Sequence, residues 1–151
     1  MNRDDKISYF FGSIFLLANK LQIWGDTIIP ALTTKQFFLL IFILKMNIDK
    51  PTIKDIADFT GTSRQNVKKM LERLAALGYV SFSPSESDAR ALIVTLTEKT
   101  FTFFSESEQK GAEALTELFK DISDDELEPA IQIVNKLFNK LEGSAEKSSP
   151  P

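Results

Sequence analysis

Between Thr52 and Leu96 the chain changes its hydrophobic period, and a single amphipathic stretch in the middle is bracketed by two glycines. Thr52 to Phe59 reads as a short helix, with Thr52 and Asp55 at capping spacing and Ile53, Ile56 and Ala57 on one face. Thr60-Gly61-Thr62 breaks it. Ser63 caps a longer helix whose apolar positions are Val67, Met70, Leu71, Leu74 and Leu77, and Gly78 falls where a left-handed C-terminal cap belongs. The period then becomes that of strands: Tyr79-Val80-Ser81-Phe82 and Ala91 to Leu96, joined by the polar loop from Ser83 to Arg90. A short helix, a tight turn, a second helix and a hairpin make a winged helix-turn-helix, and few other folds accept that order.

The flanking segments are helical. From Ile7 to Trp24 apolar residues recur at spacings of three and four, and Gly25-Asp26 with Pro30 are expected to end that helix. Thr33 and Gln36 form a capping box that opens a helix through about Met46. Its run from Phe37 to Leu44 is apolar all round, as for a central helix buried on nearly every side. Thr97 caps the next helix, which carries a heptad-like stripe from Phe101 through Leu115 and Leu118 to Ile122. Ser123-Asp124-Asp125-Glu126 caps the last, with Leu127, Ile131, Val134, Leu137 and Leu141 on its apolar side. The fold class is therefore mainly α with a small β-hairpin wing. The winged helix-turn-helix covers about 33–97 and the flanking helices about 7–25 and 98–142, in one domain over 1–142. The Ser/Pro/Lys/Glu tail over 143–151 is expected to be disordered.

The chain has no cysteine and no histidine. That excludes disulfides, thiolate chemistry, Cys/His metal sites and a histidine general base, so neither a metal, a cofactor nor an enzymatic activity is expected. The longest apolar run, Phe37 to Leu44, is far short of the roughly 20 residues that cross a bilayer, and Asp4 and Asp5 spoil any export signal. A cytoplasmic protein without a membrane partner is expected. Net charge is −3, but it is unevenly spread. Residues 1–105 hold 13 Lys/Arg against 10 Asp/Glu, whereas residues 106–151 hold 5 against 11.

Positive charge concentrates on the helix after Gly61. From Ser63 to Arg73 there are four basic residues and one acid. On a helical wheel Val67, Met70, Leu71, Leu74 and Leu77 share one sector. Gln65, Lys68, Lys69 and Glu72 lie opposite, and Arg64, Asn66 and Arg73 lie on the flanks. This is the chemistry of a recognition helix. Gln and Asn pair with adenine and Arg or Lys with guanine in the major groove, while Thr62 and Ser63 offer hydroxyls to phosphate at the positive end of the helix dipole. Thr52 and Lys54 on the preceding helix are placed to hold the backbone. At the hairpin tip Arg90 can enter a minor groove, with Asp88 orienting it by a charge-assisted hydrogen bond. Double-stranded DNA is the expected partner.

With those residues in view, the order resembles the MarR family of bacterial transcription regulators over roughly residues 7–142. The resemblance is carried by Leu32-Thr33-Thr34-Lys35-Gln36, Ile56-Ala57 through Gly61, Ser63-Arg64-Gln65-Asn66-Val67, Leu77-Gly78-Tyr79-Val80, Asp88-Ala89-Arg90 and Leu96-Thr97-Glu98-Lys99. It implies a homodimer whose platform is built from the first helix and the last two, a pseudo-palindromic operator, and a repressor released by a small aromatic effector. It also implies that Arg90 is the wing arginine, held by Asp88. Helices carrying Phe11, Phe15, Phe38, Phe42, Phe103 and Phe104 would surround the family's ligand pocket. The wing departs from the family pattern, with one basic residue and two acids from Tyr79 to Leu96.

The stripe of Phe101, Phe104, Leu115, Leu118 and Ile122 supports the dimer independently, because it exceeds what one small domain need bury. Two-fold symmetry would set two recognition helices about 34 Å apart. The alternative is an interaction module of the same fold with weak or lost DNA binding, suggested by the Arg-poor wing and the acidic C-terminal third. An enzyme is disfavoured: Asp124, Asp125 and Glu126 read as helix-capping charge, and no phosphate loop or activated nucleophile is present.

Overall fold

Asn2 opens the chain's first helix with a reciprocal capping box, its side chain accepting from the Asp5 N–H at 2.9 Å while Asp5 accepts from the Asn2 N–H at 3.2 Å. In the computed structural model, which describes residues 1–146, the elements run α1 (Arg3–Ile28), α2 (Thr34–Lys45), α3 (Ile53–Thr60), α4 (Arg64–Ala76), β1 (Val80–Pro84), β2 (Leu92–Leu96), α5 (Glu98–Leu118) and α6 (Asp124–Glu146). Thr33, Thr52 and Ser63 sit at the N-caps the sequence assigns them, and Gly61 and Gly78 adopt positive φ of 66° and 86°. Those two turns, one between α3 and α4 and one between α4 and β1, need a residue without a Cβ. The strands pair antiparallel with Val80 opposite Leu96 and Pro84 opposite Leu92. A further bridge joins Thr52 to Ile93, and the Val94 N–H donates to the Pro51 carbonyl at 2.9 Å, which ties the start of α3 to the wing.

The chain forms two compact units, one over Met1–Gly111 and one from Ala112 onward, with the boundary inside α5. The first holds the hydrophobic core. Leu40, Ile56, Val67, Leu71, Leu74 and Val94 are fully buried there, drawn from α2, α3, α4 and β2. Phe37 of α2 packs edge-on to Phe103 and Phe104 of α5, and Phe103 in turn meets the buried Tyr79 at 5.4 Å. In the second unit Ser123 and Glu126 form the expected cap of α6, and Leu115, Leu118, Ile131, Val134 and Leu137 are exposed.

Three local features differ from the sequence reading. Gly25 does not end α1, which continues to Ile28; Asp26 instead accepts from the backbone N–H of Thr34 at 2.7 Å and from its hydroxyl at 2.8 Å. Gly143 does not end α6, which extends to Glu146; the rest of the expected disordered tail, 147–151, lies outside the described residues. Nor is α2 buried on nearly every side. Leu39, Leu40 and Ile43 face the core, while Phe38, Phe42 and Leu44 are exposed, because Phe38 and Phe42 border an open cleft rather than the packed interior.

Gly25 has a long-range role. A Cβ at this position would run into the Thr34 side chain, whose hydroxyl is already held by Asp26 and by the Gln22 carbonyl at 3.0 Å. Alanine in a helix interior ordinarily gains about 1 kcal/mol over glycine. At Gly25 overpacking of about 1–3 kcal/mol outweighs that gain. Gly25→Ala is therefore expected to lower the melting temperature. Gly12→Ala, where an added Cβ meets nothing within 4 Å, is expected to hold or raise it. Trp24, the one tryptophan, supplies the fluorescence signal for both.

Candidate nucleic-acid interface

Ser63 sets the geometry of the interface. Its Oγ accepts from the Asn66 N–H at 3.2 Å, which leaves the hydroxyl proton and the free N–H groups of the first turn of α4 facing outward. Arg64, Gln65, Asn66, Lys68, Lys69 and Arg73 are all exposed, and Val67, Leu71 and Leu74 are buried beneath them. The amphipathic split read from the wheel is thus realised. No acid lies in the first turn, so nothing there opposes an approaching anion.

The polar surface of α4 is itself divided. Asn66, Lys69 and Arg73 line a cleft of about 590 Å³ whose opposite wall is α2, through Lys35, Phe38 and Phe42; Gln22, Thr34, Thr60 and Thr62 add polar groups to it. Among the described residues, three cations and two phenyl rings line this space and no carboxylate does. Of the six phenylalanines singled out for a ligand pocket, Phe38 and Phe42 are here. Phe103 and Phe104 pack against Phe37, and Phe11 and Phe15 stack edge-on at 5.1 Å on an exposed part of α1. The sequence offered no sign of Lys35, Thr34 or Gln22 in such a site, because their proximity to α4 depends on how α1 and α2 cross.

On the other flank Lys68 pairs with Glu72 at 3.9 Å, and Lys54 of α3 pairs with Asp58 at 2.8 Å. Both are exposed i,i+4 pairs, so each lysine remains available to a phosphate at a modest electrostatic cost. Thr52 is placed differently. Its hydroxyl donates to Asp55 at 2.8 Å and accepts from the Asp55 N–H at 3.2 Å, so its proton is committed to capping α3. Thr62 is half-buried on the cleft side.

At the wing tip Asp88 shapes the backbone. Its Oδ1 accepts from the Arg90 N–H at 2.9 Å, its carbonyl accepts from the Ala91 N–H at 3.0 Å, and the Ser85 N–H then donates to the Ala91 carbonyl. Among the described residues there is no ion pair from Asp88 to the Arg90 guanidinium, and Arg90 is exposed. In place of the charge-assisted bond expected between the two side chains, Asp88 closes a turn on the Arg90 backbone.

Carboxylates outside this face carry structural load. The Thr34 N–H holds the Asp26 carboxyl below its ordinary range, the Thr52 N–H does the same for Asp55 against a smaller opposing effect of burial, and the Ser123 N–H for Glu126. A carboxyl with a lower folded than unfolded pKa contributes in full above the unfolded value, about pH 4, and loses its contribution as pH falls through the folded one. The urea midpoint is therefore expected to be flat near neutrality and to fall below about pH 4. Asp26→Asn should make that acid limb shallower.

Residues 32–91, from just before α2 to the end of the wing loop, match the MarR family model. Over these residues the chain is similar to the MarR family. A curated relative, the uncharacterized HTH-type transcriptional regulator YfiV of Bacillus subtilis (strain 168), is 32% identical over 92 residues, which is 61% of this chain and 58% of that protein. The match thus spans little more than half the relative's length. Among solved structures, the transcriptional regulator BldR from Sulfolobus solfataricus superposes with a TM-score of 0.80 at 16% identity, covering 93% of this chain and 99% of BldR. A mutant MarR from E. coli, crystallised with operator DNA, gives 0.76 at 21% identity over 91% and 99%. At these identities the likeness is one of fold: a mainly helical, six-helix arrangement with a two-strand wing. Transcriptional regulators of this family are not enzymes. No helix among the described residues is long and apolar enough to cross a membrane.

Proposed function

We propose that this chain is a sequence-selective DNA-binding transcriptional regulator that works as a homodimer in the cytoplasm. The carrying observation is the exposed, acid-free first turn of α4, capped by Ser63 and flanked by Arg64, Gln65, Asn66 and Lys69. Gln65 and Asn66 read base edges, Arg64 and Lys69 meet guanine or the adjacent phosphates, Lys54 and Lys68 hold the backbone, and Arg90 reaches a minor groove. The E. coli relative crystallised with operator DNA supports a duplex as the partner.

Dimerisation follows from surface that a lone chain leaves wet. α1 has no buried residue across 26 positions, yet Phe11, Phe15, Leu17 and Leu21 are exposed on it, and α6 exposes Ile131, Val134, Leu137 and Phe138. A helix rich in apolar residues on every side belongs in an interior. Repression at a pseudo-palindromic operator is what the family resemblance supports. The cleft supports release by a small planar anion: its rings pack against the wall that Phe38 and Phe42 form, and its charge faces Lys69 and Arg73. Lys69 also serves DNA, so ligand and operator compete for it.

Selection from a pool of randomised duplexes tests the reading. The wild-type protein should enrich a motif with two-fold symmetry and half-sites one helical turn apart, and should sediment as a dimer. Enrichment of no motif would overturn it, and would favour the protein-interaction module that the Arg-poor wing suggests.

A further inference from the structure

The C-terminal end of α4 is held by side chains from the first turn of α5. Leu77 is the helix's C-cap, and from it onward three consecutive carbonyls lie outside the helical ladder. Lys99 Nζ donates to the Leu77 carbonyl at 2.5 Å, Thr97 Oγ1 to that of Gly78 at 2.6 Å, and Thr100 Oγ1 to that of Tyr79 at 2.5 Å. The Thr97 N–H also reaches the Tyr79 carbonyl, at 3.1 Å. Thr100 is fully buried, whereas Lys99 is exposed.

Lys99 does more than fill a hydrogen bond. Its ammonium stands 4.6 Å from the centre of the Tyr79 ring, and its stem crosses Gly78 so closely that a Cβ there would lie 3.5 Å from Lys99 Cδ. It therefore places a positive charge at the negative end of the α4 dipole and pins that end to an aromatic ring anchored in the core. Val67, Leu71 and Leu74 fix which face of α4 is buried. The hold on its C-terminal end adds a second constraint, on the tilt of the helix. Thirteen residues at 1.5 Å each make α4 a lever of about 20 Å, so a small movement at Leu77 displaces Ser63 and Arg64.

We propose that Lys99 is a positioning residue for DNA recognition: by clamping the Leu77 carbonyl and the Tyr79 ring it sets the tilt of α4, and with it the ability to tell one sequence from another. This rests on the DNA-binding reading above. It also names a route by which a change at α5 reaches the recognition helix without touching DNA.

The test uses the full chain, the duplex enriched by the wild-type protein from a randomised pool, and a shuffled duplex of the same composition. Lys99→Met keeps the stem but removes the charge and the donor; Lys99→Arg keeps both functions. Lys99→Met is expected to lower the ratio of affinities for the two duplexes by ~5–20-fold, with an unchanged salt slope and an unchanged helical circular-dichroism signal. Lys99→Arg is expected to restore the ratio to within about 2-fold of wild type. An unchanged ratio in Lys99→Met overturns the proposal. So does equal weakening on both duplexes with a salt slope smaller by about two, one for each protomer, which would make Lys99 a phosphate ligand. If the wild-type chain enriches no duplex, the DNA-binding reading fails and this inference fails with it.

Discussion

The combined substitution Arg64→Ala, Lys69→Ala and Arg90→Ala is expected to abolish measurable selection of the operator while leaving the fold intact. Each side chain is exposed and lacks an ion pair among the described residues, so none is needed for packing. A base contact from Arg or Lys is worth about 1–3 kcal/mol. Three such losses, each counted twice in a two-fold dimer, bring affinity down by well over about 100-fold, to the level of non-specific binding. The salt dependence should flatten by roughly one unit for each phosphate that is no longer neutralised. Lys54→Ala and Lys68→Ala should each do less, because Asp58 and Glu72 already share their charge. Anisotropy titrations of the triple variant and the two single variants on one duplex give the ranking directly.

Leu71→Ala should cost the fold itself. Leu71 is 0% exposed and sits in the cluster with Leu40, Ile56 and Leu74 that joins α2, α3 and α4. Truncating a buried leucine to alanine costs about 2–5 kcal/mol, a large part of the roughly 5–15 kcal/mol that a domain has in total. Leu77→Ala, at the end of the same helix but 47% exposed, should cost under about 1 kcal/mol. Urea midpoints separate the two. DNA binding by Leu71→Ala should fall only in proportion to the unfolded fraction, so cooling below its transition should restore it; a loss that persists in the folded protein would place Leu71 in recognition as well as in the core.

Much of this was readable from residue order because it rests on local rules. The Thr33, Thr52, Ser63 and Ser123 caps, the turn at Gly61, the left-handed cap at Gly78, and the switch to strand periodicity after Gly78 are each decided within a few residues of sequence. So was the outward face of α4, since its apolar spacing fixes what lies opposite. What escaped depends on contacts between distant segments. Gly25 followed by Asp26 looks like a helix stop, yet its role is the close approach of Thr34, and no pattern in α1 alone announces a partner beyond the next turn. The apolar run of α2 could not say which face would find neighbours. Composition likewise could not divide the basic residues of α4 between the cleft, where Lys69 and Arg73 lie, and the flank where Lys68 meets Glu72. The Asp88–Arg90 pair was found in sequence, but its bond runs to the backbone N–H, and only coordinates distinguish that from a side-chain pair.

Fluorescence-anisotropy titration of the wild-type chain, on its selected duplex and on a shuffled one at two salt concentrations, tests the central claim most directly. The account predicts affinities that differ by at least about 1,000-fold between the duplexes, and a steep fall of both with salt. Equal, feeble binding to the two duplexes would contradict it.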